Sequence, residues 1–290
     1  MALNTKSHFH VRSNSLPSRP HPLILQCNEH LDRLRASHET SSSCSSLSHK
    51  LGGLQDLHVC VENLFQLPLT QEALHHESQE KWVDELLNGS LRVLDVCTAT
   101  KDSLLHTKEC MRDLQSIMRR RKGGEVAEIK KFLTSRKVVK KAISKALENL
   151  KATSKHGNIS STNKGNQTVA LISLLENVEV VTLSTFQALM QFISGTTQSK
   201  SSSWVLVSKL MQTKKVGCSQ LADHESEFAQ LDEALQSCMF SQTSKIENMN
   251  KLQNQLEKIE SLTQDLEEGL EFLFRHLIKT RVALLNILNH

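Results

Sequence analysis

The sequence predicts an all-α fold: an elongated antiparallel bundle of long helices behind a disordered N-terminal tail. Helix breakers are rare, with 10 Gly and 4 Pro in 290 residues, and three of the prolines (Pro17, Pro20 and Pro22) crowd one short stretch. The remainder is rich in Leu, Lys, Glu, Gln and Ser, which favour long helices over a sheet. Apolar residues recur in steps of three and four along most of the chain, the spacing that lines one helical face. Aromatic residues make up 4% of the sequence and tyrosine is absent, so the core must be built mainly from Leu, Ile, Val and Met.

Each element follows from local signals. Pro22 suits the first position of a helix, where its missing N–H costs nothing, and that helix runs through Leu31 and Leu34 to the serines at 41–46. A second helix, about 47–67, has apolar residues at 47, 51, 54, 57, 61 and 64; Gly52 and Gly53 weaken it, and Pro68 stops it. His75 and His76 fall in the connection that follows. The third helix, about 79–121, carries a stripe at 86, 90, 93, 97, 100, 104, 107, 111, 114 and 118, and ends at Gly123-Gly124. A basic helix over about 125–151 leads into a polar linker at 152–167.

The second half opens with an apolar helix at 168–194, followed by a short helix from Trp204 to about Lys215. Glu176, Asn177 and Glu179 sit near the middle of the apolar helix, where bilayer insertion is costly, so it reads as a buried helix. A very long pattern then runs from about Ser219 to the C-terminus, broken near Ser241–Ser244. Positions 249, 252, 256, 259, 263, 266, 270, 273, 277, 280, 284 and 287 keep strict three-four spacing, and all but Thr263 and Thr280 are Met, Leu or Ile. Such a seam serves a coiled-coil homodimer or, preferably, a hairpin within one chain. Beyond Leu270 the apolar face widens through Phe272, Phe274, Ile278, Val282, Leu285 and Leu288, which predicts burial of the last stretch against several helices. The organisation is therefore a tail at 1–21, helical parts at 22–151 and 168–290, and a single domain over 22–290.

Several segments carry a resemblance. FHVRSNSLPSRPHPLI (9–24), LFQLPLTQEAL (64–74), KWVDELLNGSLRVLDVC (81–97) and LLNILNH (284–290) resemble a plant family, domain-of-unknown-function family 241, related to the BYPASS proteins. The resemblance runs nearly end to end. It implies an intracellular plant helical protein with relatives linked to root and shoot development. The family has no established catalytic residues, so none is carried over.

Two candidate binding surfaces stand out. In the tail, Arg12, Ser13, Ser15 and Pro17 of RSNSLP match the arginine–serine–x–phosphoserine–x–proline pattern that 14-3-3 proteins recognise. Phosphorylated Ser15 offers a roughly doubly charged acceptor to an arginine cluster, and Pro17 bends the chain out of the groove. In the basic segment 119–145, Arg119, Arg120, Arg121, Lys122, Lys130, Lys131, Arg136, Lys137, Lys140, Lys141 and Lys145 stand against Glu125 and Glu128. Eleven cations less two anions is +9 in a chain whose net charge is +4, so the charge is concentrated. Ile129, Phe132, Val139, Ile143, Ala146 and Leu150 share one face of this helix while most lysines point away. Such a helix binds an anionic membrane surface, calmodulin or nucleic acid, serves as a nuclear-import signal, or simply packs in the bundle with solvated lysines. Nucleic acid is disfavoured by the lack of aromatic residues and of any base-reading motif.

No catalytic, cofactor or metal constellation is legible. The seven cysteines are scattered without a C-x-x-C pair, which fits idle thiols in a reducing compartment better than a disulfide framework. Fourteen histidines include no H-E-x-x-H spacing, and neither a G-x-S-x-G elbow nor a phosphate-cradling glycine loop occurs. The expectation is a non-enzymatic interaction protein of cytoplasmic location, without cofactor, whose partners are proteins or, alternatively, a membrane surface.

Overall fold

A computed structural model describes residues 21–37, 44–76, 81–120, 124–153, 166–196, 226–240 and 245–289. These form eight helices and no strand: α1 (Pro22–Ser37), α2 (Cys44–Phe65), α3 (Pro68–His76), α4 (Lys81–Arg120), α5 (Glu125–Thr153), α6 (Asn166–Ser194), α7 (Glu227–Phe240) and α8 (Lys245–Asn289). The tail with Arg12, Ser13, Ser15 and Pro17, the helix expected at 204–215 and the break at 241–244 lie outside the described residues.

The helix ends obey local chemistry. Pro22 opens α1, and the Leu23 N–H donates to Nδ1 of the preceding His21. Ser226 caps α7, accepting from the Ala229 N–H at 3.2 Å. At the end of α6, Gly195 takes φ 70°, with Gly195 N–H bonded to Phe192 O and Thr196 N–H to Gln191 O. That pairing satisfies the last carbonyls in a Schellman motif. Pro68 corrects the sequence reading: it both ends α2 and opens α3, so His75 and His76 close a helix instead of lying in a connection.

Four helices close a ring in the order α2, α8, α4, α6, each packed on the next. The other four lie against it: α1 on α2 and α6, α3 on α2 and α8, α5 on α4 and α6, and α7 on α5, α6 and α8. The core is aliphatic as expected, and all but Leu86, Ser90, Met249 and Thr280 of the two predicted stripes are buried. The α8 seam is thus occupied within the chain, against α2 and α4.

Directions can be read from paired side chains. Lys101 meets Glu271, Arg112 meets Glu260 and Arg119 meets Glu257, so α4 and α8 are antiparallel. Gln55 meets Gly269 and Glu62 meets His276, so α2 and α8 run parallel. No short loop joins α2 to α8, and their relative direction is therefore free of the hairpin constraint.

One expectation about α8 holds only in part. Beyond Leu270 Phe274, Leu285 and Leu288 are half-buried, but Phe272, Ile278 and Val282 are 43%, 41% and 49% exposed. At those three positions the outer face of α8 stays open.

Candidate functional site

The basic helix α5 forms because a run of Lys, Ala, Leu and Glu follows Gly124, which takes φ 94° and accepts the first-turn N–H groups of Ala127 and Glu128. Glu125 and Glu128 lie in its first turn and Lys151 in its last, complementing the helix dipole. Its apolar face packs inward as expected. Ile129, Phe132, Val139 and Ile143 are buried, and Ala146 and Leu150 are half-buried against the same core.

Packing divides the basic residues into three groups. Arg136 is not part of a basic surface: it is 2% exposed, and its guanidinium grips Asp232 of α7 through Nε at 3.1 Å and Nη2 at 3.2 Å. Phe228 lies beneath it, 5.1 Å from ring centre to guanidinium. Lys140 is drawn to the same carboxylate at 2.8 Å. A cleft of about 350 Å³, lined by Leu133, Lys137, Gln236 and Met239 among others, opens beside this node. The helical period places Arg136 beside Phe132 and Val139 on the inner face, which the count of charges alone does not reveal.

A second group is paired on the surface. Lys131 lies 3.5 Å from Asp113 and 3.6 Å from Glu128, and these carboxylates raise its pKa. Arg119 sits 3.8 Å from Glu257. Arg120 is exposed, and Arg121 and Lys122 lie outside the described residues.

The third group is the candidate surface. Lys130, Lys137, Lys141 and Lys145 are exposed and form no ion pair among the described residues. Their spacing puts all four on the outer face of α5, opposite the buried stripe, along a span of about 22 Å. Because the apolar face is occupied, α5 can engage a partner only through charge while the bundle stays folded. Insertion into lipid, or wrapping by calmodulin around apolar anchors, requires that face to be released.

One charged feature escaped the sequence reading. Lys101, Lys108, Arg112 and Arg119 of α4 face Glu271, Glu267, Glu260 and Glu257 of α8 as an antiparallel ladder, with Lys108 also reaching Gln264. The signal was present: the α4 set steps by seven, four and seven and the α8 set by three, seven and four beside the apolar stripes, as flanking charges of a paired helix do. Among the described residues no group of three or more His, Cys, Asp or Glu side chains is placed to hold a metal ion. The helix at 168–194 is long and apolar enough to cross a membrane. In this fold it packs against five other helices, and its Glu179 pairs with Arg92 at 2.5 Å.

The model of the family described as Protein BPS1 matches residues 50–287 of the chain. No curated protein and no solved structure matches it.

Proposed function

The chain belongs to the family described as Protein BPS1, and from that premise we propose that it is a non-enzymatic interaction protein of plant development, gated by phosphorylation of its tail. The observation that carries this reading is the division of labour on α5. Its apolar face and Arg136 are spent on packing, while Lys130, Lys137, Lys141 and Lys145 face outward without carboxylate partners. A self-packed bundle of this kind offers partners charge on one helix and a peptide motif ahead of α1. In the tail, phosphorylated Ser15 with Arg12, Ser13 and Pro17 would dock a 14-3-3 protein through charge-assisted hydrogen bonds. The developmental context comes from the family resemblance. A peptide spanning 9–22 and phosphorylated on Ser15 should bind a purified 14-3-3 protein at micromolar strength or better. Equal binding by the unphosphorylated peptide, or none by either, would sink the tail's role.

The second reading is peripheral attachment to an anionic membrane, favoured by the same lysines. At about 1 kcal/mol per lysine near an anionic surface, four supply roughly 4 kcal/mol, which is millimolar attachment. On this reading the lysines assist a second anchor and do not hold the protein alone. Flotation with phosphatidylserine vesicles at low salt should recover the wild type, and Lys137→Glu with Lys141→Glu should abolish recovery. Failure of the wild type to float removes this reading and leaves the peptide experiment untouched.

A further inference from the structure

The antiparallel pairing of α1 with α2 sets Leu34 against Gly53 at one end and Cys27 against Cys60 towards the other. The two cysteines are 33 positions apart, and their Sγ atoms stand 2.7 Å from each other inside the apolar interface. That is less than 1 Å beyond the ~2.05 Å of a sulfur–sulfur bond. Both side chains are buried, at 0% and 3% exposure. No other pair of thiols meets among the described residues: Cys110 faces Ser135, and Cys97 and Cys238 have no sulfur neighbour.

We propose that Cys27 and Cys60 are a redox-active dithiol, oxidised by a small-molecule disulfide of the glutathione class to a bond that staples α1 to α2. The Cys60 thiolate attacks one sulfur of the small disulfide, forming a mixed disulfide and expelling one thiolate. Cys27, deprotonated in turn, attacks Cys60 Sγ and expels the second. Two electrons pass to the small disulfide, and the two protons of the dithiol end on the two released thiols. The roles follow from the contact between the sulfurs. Burial pushes both thiols up, but Cys27 donates to Cys60, which opposes the rise at Cys60 and adds to it at Cys27.

Access comes from α1 itself. It is a 16-residue helix seated on the buried Cys27, Leu31 and Leu34 and the half-buried Leu23 and Ile24, and tied by Arg35 to Asn177 at 2.6 Å and by the Cys60 thiol to Leu23 O at 3.5 Å. Local opening of one short helix costs less than unfolding the whole bundle. Oxidation should therefore be slow, limited by opening, and persistent once the bond is buried again.

The full-length chain offers a clean readout, because trypsin leaves Cys27 in peptide 13–33 and Cys60 in peptide 51–81, each with no other cysteine. The reduced protein, held in native buffer with excess oxidised glutathione, should give 13–33 linked to 51–81 as the main disulfide. Its Tm should rise by on the order of 5 °C. Cys27→Ala should trap glutathione on Cys60 and abolish the rise. The proposal is overturned if the linked peptides do not form under native conditions, whether the thiols stay reduced or glutathione adds elsewhere. Mapping of the wild type decides the matter even if the variant fails to fold.

Discussion

His58 lies fully buried where α2 meets α6, its Nε2 2.9 Å from Thr182 Oγ1. The threonine hydroxyl donates to Val178 O, so it accepts from His58 Nε2–H, and Nδ1 is left without a partner. Burial, with His276 nearby, lowers the pKa of His58 from 6.5 to about 4. Between those values the unfolded chain takes up a proton that the folded chain refuses. The contribution to stability is complete above pH 6.5 and is lost as the pH falls towards 4, on the order of 3 kcal/mol in all. His58→Gln should flatten the dependence of the urea midpoint on pH across that window. An unchanged slope would show that His58 is already charged in the fold. At Arg136 the asymmetry of buried ion pairs sets the expectation. Arg136→Ala leaves the buried Asp232 with Lys140 as its remaining cation, 2.8 Å away, and should cost up to about 3 kcal/mol, whereas Arg136→Met combined with Asp232→Leu should cost less. Denaturant unfolding of the single and double variants compares the two.

At the scale of elements, two glycines show how contact between helices overrides propensity. A Cβ on Gly52 of α2 meets nothing within 4 Å, whereas one on Gly269 of α8 falls 2.5 Å from Leu51 Cδ2. Leu51 is buried, so its side chain, with Gln55 at 3.2 Å, would have to shift to admit the methyl group. Gly52→Ala should stabilise by about 0.5–1 kcal/mol through helix propensity alone. Gly269→Ala should destabilise, because overpacking of about 1–3 kcal/mol exceeds the same gain. Opposite shifts in Tm are the expected outcome. Sequence propensity treats the two alike, and only the approach of α2 to α8 separates them. The same approach explains why the α8 stripe was legible but its flanks were not. A three-four stripe reports which face is inside, but not how many helices cover its edges, and Phe272, Ile278 and Val282 were misread for that reason.

At the scale of the molecule, α8 comes last in the chain yet lies between α2 and α4, which precede it by well over a hundred residues. Neither half can complete its core without the other. Leu256, Leu270 and Leu273 of α8 are fully buried, and each forfeits about 1.5–3 kcal/mol if left in water. Residues 1–153 produced alone should therefore show no cooperative thermal transition, and mixing with residues 154–290 should restore one. A sharp transition in the isolated N-terminal half would divide the protein into two independent units.

The sequence by itself determined the helical class, most helix boundaries, both apolar stripes and the concentration of charge on α5. All of these depend on neighbours one to four positions apart, which share a helical turn. The tertiary structure alone decided that Arg136 is an interior ion-pair partner, that α4 and α8 carry a charge ladder, that α2 and α8 run parallel, and that two of seven scattered cysteines meet. Each is a contact between helices far apart in the chain. Helical periodicity sets which face a residue occupies, but not which helix arrives against that face, and that choice rests on how the ring of four closes.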